Sequence, residues 1–247
     1  MQLYFIRHGQ SQNNANWNNP DYKESPDPAL TEIGIEQACY VSEFLREAQT
    51  TTPSRGWNIQ NRFGFGLTHI YTSLMERAVH TAAPTARALG LPFAAWEQIH
   101  ESGGIFGRDG DMKLQGLPGK TRAYFEQHFP ELTLPDHLNG TGWWNSRPFE
   151  TEEECQLRAT RFAADLITRH ADRQGEPEHR VAIFSHGGFF VHLMFALLDT
   201  PWRQAAHGLK SWFVLNNCAI SRIDFHEQEI NIAYLNRTDH LPDHLIT

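Results

Sequence analysis

The sequence has 247 residues, of which 40% are hydrophobic and 20% charged, a composition typical of a globular protein with enough apolar material for a core. Its 21 Lys and Arg against 29 Asp and Glu give a formal net charge of −8. This balance argues against a general nucleic-acid or membrane-surface binder, although it allows a local basic pocket.

The sequence also gives expectations about the protein's compartment. No apolar run approaches the roughly 18 residues of a membrane helix, and the N-terminus has no signal-type cleavage site. The cysteines Cys39, Cys155 and Cys218 are far apart and outside any CxxC pattern, as expected for isolated thiols in a reducing compartment. We therefore expect a cytoplasmic protein with no membrane or nucleic-acid partner; the sequence does not reveal its oligomeric state.

In the first half of the chain, apolar runs typical of strands alternate with segments of helical spacing. Strands are predicted at Leu3–Ile6 and Leu67–Tyr71, and helices at Leu30–Ala48 and from about Glu76 to Leu89, where Gly90 closes the second helix. The apolar face of the first helix is predicted to comprise Ile33, Ala38, Val41, Phe44 and Leu45.

The alternation continues in the second half. Glu152–His170 has helical spacing and is followed by a short buried-type strand, Val181–Phe184, and an apolar helix, Phe189–Leu198. The apolar side of the first of these helices is predicted to include Leu157, Phe162, Leu166 and Ile167. Three further strands are predicted at Phe213–Leu215, Ile220–Phe225 and Ile230–Leu235.

Strands separated by helices predict an α/β fold with a largely parallel sheet. Gln49–Gly66 and the Gly/Pro/Trp-rich stretch Gly103–Phe149 interrupt the alternation, and we interpret both as insertions, the second large enough to form a cap. We expect residues 1–247 to form one domain.

Polar groups follow three of the predicted strands. His-Gly ends both YFIRHG and VAIFSHGG, and HIYTS leads into a helix with Arg77 in its first turn. Because ligands of open α/β sheets bind at the carboxyl ends of the strands, we expect His8, His186, Arg7 and Arg77 to gather on one edge. Guanidinium groups and helix N-terminal amides there suit a phosphate dianion.

These residues resemble the histidine phosphatase superfamily, also called the phosphoglycerate mutase-like family. The signature RHGxSxxN is met by Arg7, His8, Gly9, Ser11 and Asn14. Further matches, in the family's order, are Leu30-Thr31, Gly34, Gln37-Ala38, Ser73, Arg77-Ala78, Thr81-Ala82 and Ser185-His186-Gly187-Gly188. The resemblance spans about 180 residues and implies a three-layer α/β/α sandwich.

The resemblance also implies roles for these residues. His8 would be the nucleophile that forms a phosphohistidine, and Arg7, Arg77 and His186 would hold the phosphoryl oxygens. Gly9 would remove bulk beside the attacked phosphorus and permit the turn. The secondary phosphate contacts would be Ser11, Asn14 and Gly187. Helix capping or turn formation is the alternative role for Ser11 and Asn14.

A carboxyl group is needed to protonate the leaving alkoxide and to activate the water that opens the phosphohistidine. In the family this Glu follows the third strand, with a glycine shortly after, and Glu101 in AAWEQIHESGGIFGRDG fits that place. Glu97, Asp109 and Asp111 are nearby alternatives.

Other site types are poorly supported by the sequence. It has no HExxH, GxSxG or GxxxxGK[ST] motif, so we assign no metal ligands and expect no cofactor. His240 and His244 flank Pro242 in a polar tail, where a surface role is favoured. Trp143-Trp144 could line a substrate cap or pack the insertion onto the core.

Three functions fit these residues. The favoured one is a metal-independent phosphatase of a small phosphorylated metabolite; a phosphoglycerate mutase and a non-catalytic phosphate-binding relative are the alternatives. Cofactor-dependent mutases of the family continue the first motif with a segment like NRFTGW and follow the catalytic Glu with something like RHYG. This chain has NANWNNPDYK and SGGI at those places.

Overall fold

The computed structural model describes residues 1–47, 58–200, 211–226 and 229–247. The main-sheet strands are β1 (Gln2–Arg7), β2 (His69–Thr72), β3 (Phe93–Ala95), β6 (Leu132–Thr133), β7 (Arg180–Ser185), β8 (Ile220–His226) and β9 (Glu229–Arg237). A separate hairpin consists of β4 (Phe106–Arg108) and β5 (Leu114–Gly116).

The main sheet has the strand order β6-β3-β2-β7-β1-β8-β9 in the described residues. Each neighbouring pair from β6 to β1 is parallel, whereas β8 runs antiparallel to β1 and β9 antiparallel to β8. The predicted α/β class with a largely parallel sheet is therefore confirmed. The carboxyl ends of five parallel strands lie on one edge, where they can present side chains to a common site.

Six α-helices are described: α1 (Gln12–Ala15), α2 (Glu32–Glu47), α3 (Glu76–Leu89), α4 (Arg122–His128), α5 (Glu152–Arg169) and α6 (Gly187–Leu197). Short 3₁₀ turns lie at Glu97–Ile99 and Asp243–Leu245. Helix α3 ends as predicted, because Gly90 adopts the left-handed conformation with φ of 64° and caps the last turn.

Apolar side chains cover both faces of the sheet. Along β1, Tyr4 and Ile6 point into one core together with residues of α2 and α3, such as Val41 and Val79. Leu3 and Phe5 alternate with them and belong to a second core with α5 and α6. This period-two alternation is what a strand buried on both faces requires, and it gives the implied three-layer α/β/α arrangement.

Some predicted elements differ from the structure. Phe213–Leu215 is not a strand, and the carbonyl of Leu215 instead accepts a hydrogen bond from Arg7. The side chains of Ile33, Leu157 and Ile167 were expected on buried helix faces but are exposed. The buried face of each helix therefore includes fewer of its apolar residues than the sequence pattern predicted. Strands β3 and β6 were not predicted, since they have only three and two residues.

The two predicted insertions are more integrated than expected. Of Gln49–Gly66, residues 49–57 lie outside the described part, while Phe65 is buried and Asn61 donates a hydrogen bond to Tyr4. Within Gly103–Phe149, only part has the form of a cap. Strand β6 extends the main sheet beside β3, and Trp143 and Trp144 pack into the core.

Two global features follow from the described residues. None of their helices combines the length and the apolar character needed to cross a bilayer. Cys39, Cys155 and Cys218 are all unpaired, as the sequence predicts.

We predict that one buried ion pair contributes strongly to stability. Arg222 and Asp224 form a bidentate pair with N–O distances of 2.7 and 2.9 Å, and the Asp224 side chain is fully buried. Asp224→Asn should lower the free energy of unfolding by about 3–5 kcal/mol, because the buried guanidinium loses its counter-charge. Urea denaturation measures the change.

A matched control exists in the same sheet. Arg237 and Asp239 are also two positions apart and form a bidentate pair, with N–O distances of 2.6 and 2.8 Å. The Asp239 side chain, however, is 60% exposed. Asp239→Asn should cost less than about 1 kcal/mol. Equal losses in the two variants would show that burial does not decide the contribution of these pairs.

Candidate active site

Four elements bring the predicted site residues to the carboxyl edge of the sheet. Arg7 ends β1 and His8 follows it, His186 follows β7, Arg77 lies in the first turn of α3, and Glu101 follows the 3₁₀ turn after β3. A cavity of about 870 Å³ opens at this edge. The predicted site residues that line it are Arg7, His8, Ser11, Asn14, Arg77 and Glu101.

His8 is buried and held in one tautomer. Its Nδ1 lies 2.7 Å from the carbonyl oxygen of Gly9, which can only accept, so Nδ1 carries the proton. Nε2 accepts a hydrogen bond of 3.1 Å from Nε of Arg77 and therefore bears a lone pair. Burial, together with the charges of Arg77 and Arg7, lowers the pKa of His8 well below its usual value. The ring is a neutral imidazole with a nucleophilic Nε2.

The two arginines beside His8 retain unused donors. Nη1 of Arg7 donates to the carbonyl of Leu215, while its buried Nε has no hydrogen-bond partner. Nη1 of Arg77 is also buried without a hydrogen-bond partner, although Asp27 lies 3.7 Å away. Buried donors without partners are rare in folded proteins, and two of them beside one cavity indicate a site for an anion.

His186 lies against His8, with ring centroids 5.1 Å apart. It is fully buried, it is not among the residues that line the cavity, and both its ring nitrogens lack a hydrogen-bond partner. Burial, with added repulsion from Arg77, lowers the pKa of His186 well below its usual value. Gly187 follows as the first residue of α6 and does not line the cavity either.

Glu101 is anchored by backbone amides. Its Oε1 accepts from the N–H groups of Ser102 and Phe189 at 3.0 and 2.9 Å, and its Oε2 accepts from Gly188 at 3.3 Å. Gly188 is needed for this approach, because a Cβ there would lie 2.5 Å from Oε1. Arg158 secures the preceding segment by donating to the carbonyl of His100.

The competing carboxylates occupy different environments. Glu97 pairs with His137 at 2.6 Å and does not line the cavity. Asp109 lines the outer part of the cavity, where it accepts the amides of Asp111 and Lys113 in its own loop. Of the four candidate carboxylates, Glu101 is the one that lines the cavity and whose charge acts on both Arg7 and Arg77.

Ser11 and Asn14 form a capping box at the start of α1 and line the cavity as well. Oδ1 of Asn14 accepts from the amide of Ser11 and from Nδ2 of Asn217, and Nδ2 of Asn217 also donates to the carbonyl of His8. Capping and ligand contact are thus compatible roles here. The buried Asn217 was missed, because a lone Asn after an apolar run carries no local signal.

The structure gives a reason for a glycine at position 9 that the sequence analysis did not predict. A Cβ on Gly9 would lie 2.5 Å from the carbonyl oxygen of Gly34, and a Cβ on Gly34 would collide with the carbonyl of Gln10. Gly9 does not line the cavity. Its lack of a side chain therefore permits close contact between two backbone segments, and its role beside a phosphorus atom stays a prediction.

Asp27 is a further site residue that sequence reasoning missed. One of its oxygens accepts from the amide of Glu76, and the other is buried without a partner. Burial, partly opposed by Arg77, raises the pKa of Asp27 to about 6. Asp27 thus lies behind Arg77 and compensates part of its charge.

The outer cavity wall is built from two polar segments. One runs from Tyr22 to Pro26, and the other is the β4–β5 hairpin, which contributes Phe106–Asp109, Gly110 and Met112. Of the two roles considered for Trp143-Trp144, the structure favours packing, since both are buried and neither lines the cavity.

His240 and His244 do not form a joint site. Nε2 of His240 lies 3.1 Å from the carbonyl of Cys218, and its ring stacks on Phe44. His244 is exposed.

Comparison with known proteins identifies the family. The model of the histidine phosphatase superfamily (branch 1) matches residues 3–53 and 60–238. The chain belongs to this superfamily. The resemblance carried by the ordered motifs is thereby confirmed.

The proteins that this chain resembles in sequence or in structure differ in the activities that their names state. A probable phosphoglycerate mutase, GpmB, of Yersinia pestis is 27% identical over 228 residues, covering 92% of this chain and 86% of the relative. A mycobacterial glucosyl-3-phosphoglycerate phosphatase complexed with VO3 superposes with a TM-score of 0.59 at 19% identity, covering 96% and 99% of the two chains. A putative alpha-ribazole-5'-P phosphatase of Escherichia coli superposes with a TM-score of 0.57 at 21% identity, covering 96% and 97%.

The tautomer of His8 is testable. Because its pKa is lowered, His8 should stay neutral, with Nδ1 protonated and Nε2 bare, as the pH falls from 7.5 to about 5.5, past the ordinary histidine value of about 6.5. Long-range ¹H–¹⁵N spectra of the imidazoles report both nitrogens, and loss of one signal set in His8→Gln assigns them. Protonation of His8 at about pH 6.5, as in the urea-unfolded chain, would contradict the assignment.

Proposed function

We propose that this member of the superfamily is a metal-independent phosphatase that hydrolyses a small phosphomonoester through a phosphohistidine on Nε2 of His8. The observation that carries the proposal is the neutral, buried imidazole beside unpartnered donors of Arg7 and Arg77. A nucleophile must keep its lone pair, and a phosphoryl group needs cations around its oxygens. Here both requirements are met on the wall of one cavity.

In the first half-reaction, Nε2 of His8 would attack phosphorus while the bond from phosphorus to the substrate oxygen breaks. Arg77 already donates to Nε2 and would pass this donation to a phosphoryl oxygen as the nitrogen forms its bond. Protonated Glu101 would give its proton to the leaving alkoxide.

In the second half-reaction, water would attack the phosphohistidine. The carboxylate of Glu101 would take the proton of that water, the P–N bond would break, and inorganic phosphate would leave with neutral His8 restored. The amides of Ser102, Gly188 and Phe189 fix both carboxyl oxygens, so one group can serve both steps from one position.

Charge placement favours hydrolysis over mutase chemistry. A mutase must hold a bisphosphorylated intermediate, which requires cations for two phosphates. Apart from Arg7 and Arg77, the cations that could hold a second phosphate are expected in the region 103–149. This region contains five: Arg108, Lys113, Lys120, Arg122 and Arg147. Of these, only Arg108 lines the cavity, whereas Lys120 pairs with Glu76 at 3.0 Å and Arg147 stacks on Trp144.

The opposite wall adds little positive charge. Lys23 also lines the cavity, but Glu24 follows it in the Tyr22–Pro26 segment and Asp109 follows Arg108 in the hairpin, so each of these two cations has a neighbouring carboxylate. The named phosphatases among the superposed structures fit this preference, while the mutase relative keeps phosphoglycerate mutase as the second candidate.

The cavity also bears on the substrate class. Its volume of about 870 Å³ lies within the range of about 300–1,000 Å³ usual for small-molecule sites. A single polar or phosphorylated metabolite would fill it. The net charge of −8 adds no attraction for nucleic acid.

Glu101 is the residue whose role is tested most directly. Glu101→Gln removes the transferable proton and should lower turnover of alkyl phosphates by about 10²–10⁴-fold. An aryl phosphate with a good leaving group should lose less in the first step, because its oxygen needs no proton. Pre-steady-state release of the alcohol or phenol, the product of the first step, measures that step for each substrate separately.

Two control variants sharpen that test. Glu97→Gln removes a carboxylate that does not line the cavity and should keep nearly the wild-type rate, whereas Asp109→Asn changes a residue of the cavity wall and should alter KM while leaving kcat nearly unchanged. A large loss in either control, with little loss in Glu101→Gln, would transfer the proton-donor role to that residue.

The phosphatase assignment is tested by product. Purified protein should release inorganic phosphate from monophosphates, and 2,3-bisphosphoglycerate should not stimulate interconversion of 3- and 2-phosphoglycerate. Labelled substrate should leave an acid-labile, alkali-stable adduct that is absent in His8→Ala. Bisphosphate-dependent mutase turnover well above phosphate release would overturn the assignment, and absence of any adduct or turnover would favour a non-catalytic relative.

A further inference from the structure

Three histidines meet at the edge of the sheet opposite the catalytic cavity. His69 begins β2, His179 directly precedes β7, and His170 caps the carboxyl end of α5. Strands β2 and β7 are parallel neighbours, with His69 paired to Val181, so both histidines lie at the amino ends of the strands. His8 and Glu101 lie beyond the carboxyl ends, so this cluster is separate from the proposed phosphatase site.

Each of the three side chains offers one ring nitrogen, and these three atoms all lie within 4.8 Å of one another. Nδ1 of His170 and Nδ1 of His179 are 3.0 Å apart. Ligand distances of about 2.0–2.1 Å place the nitrogens of a tetrahedral zinc site about 3.4 Å apart. The pair is therefore close to ligand spacing, and side-chain rotation of the partly exposed His69 and His179 would shorten the longest N–N distance from at most 4.8 Å.

Hydrogen bonding orients the third ring. The hydroxyl of Thr68 donates to the carbonyl of Arg180 at 3.1 Å, so it accepts from Nδ1 of His69 at 2.8 Å. Nε2 of His69 is then left with a lone pair. Metal-ligating histidines generally donate their other ring N–H to an oxygen acceptor that fixes the tautomer, and the Thr68 hydroxyl is such an acceptor for His69.

One observation shows that the cluster is not a satisfied hydrogen-bond group. His170 is only 1% exposed, yet its Nε2 has no hydrogen-bond partner. The adjacent acidic groups are engaged elsewhere, since Asp172 and Glu178 both pair with the amino group of Met1.

We propose that His69, His170 and His179 form a binding site for a divalent transition-metal ion of the zinc class. Imidazole nitrogens favour Zn²⁺, Cu²⁺ and Ni²⁺ over Mg²⁺ and Ca²⁺, and three of them leave a fourth position for water. The ion would replace the proton shared between His170 and His179, which moves to Nε2 of the ring that carried it. It would tie β2, β7 and the end of α5 together without taking part in phosphoryl transfer.

The test uses the full chain freed of metal with a chelator. Calorimetric titration with Zn²⁺ should give one equivalent per chain, and Co²⁺ should give the visible absorption of a low-coordinate nitrogen site. His69→Gln and His179→Gln should each weaken binding by more than the about 10–100-fold that loss of an outer partner costs. Zn²⁺ should raise the melting temperature of the wild type and not of H69Q/H179Q.

Matched controls separate this site from other histidines. His244→Gln removes an exposed histidine outside the cluster, and His8→Ala removes one at the cavity; both should bind Zn²⁺ as the wild type does. Phosphate release should be the same with and without chelator. Circular dichroism of the metal-free variants shows whether they are folded. Equal Zn²⁺ binding by the wild type and by folded H69Q/H179Q, or loss of binding in His8→Ala, would overturn the proposal.

Discussion

The candidate active site of this protein depends on how a single imidazole, that of His8, is held. The charges of two guanidinium groups, those of Arg77 and Arg7, act on His8. Its Nδ1–H is fixed on the carbonyl of Gly9, and its Nε2 accepts from Arg77. A protonated His8 ring would add a third positive charge to the charges of Arg7 and Arg77 in a buried environment. Burial and the two arginines therefore both keep the ring neutral by lowering its pKa. In the proposed function, the arginines that would hold the phosphate thus also keep His8, the group that would accept the phosphoryl group, in its neutral form. Asp27 limits the accumulated charge from behind Arg77.

The loop that carries His8 is held by backbone contacts as much as by side chains. Gly9 and Gly34 approach so closely that neither position has room for a Cβ. Thr81 accepts the amide of Gly9, and Gln37 accepts the amide of Gln10. These residues belong to the motifs between Leu30 and Ala82. Their common function is to place α2 and α3 against this loop, which explains why the motifs occur in fixed order although few of their residues reach the cavity.

The sequence predicted the long elements well because local signals and burial agree in them. Helix α3 was predicted from Glu76 to Leu89, and the family and fold were recognisable from motifs at strand ends. The rest depends on contacts distant in sequence. Strand β6 has two residues and exists through its pairing with β3, Asn217 reaches His8 across 209 positions, and the histidine cluster joins residues 69, 170 and 179. No spacing rule connects such positions before the sheet is assembled.

The insertion between Gly103 and Phe149 divides into parts with different consequences. Strand β6, α4 and the two tryptophans complete the sheet edge and its core, so changes there act on stability. The β4–β5 hairpin instead places Phe106, Arg108, Asp109 and Met112 on the wall of the cavity that His8 and Glu101 also line. The reacting groups match a family motif, whereas the hairpin is an exposed polar loop on a separate two-stranded sheet. In the proposed function, His8 and the arginines would bind the phosphoryl group common to all substrates, so selection among phosphorylated metabolites would come from this hairpin and the Tyr22–Pro26 segment.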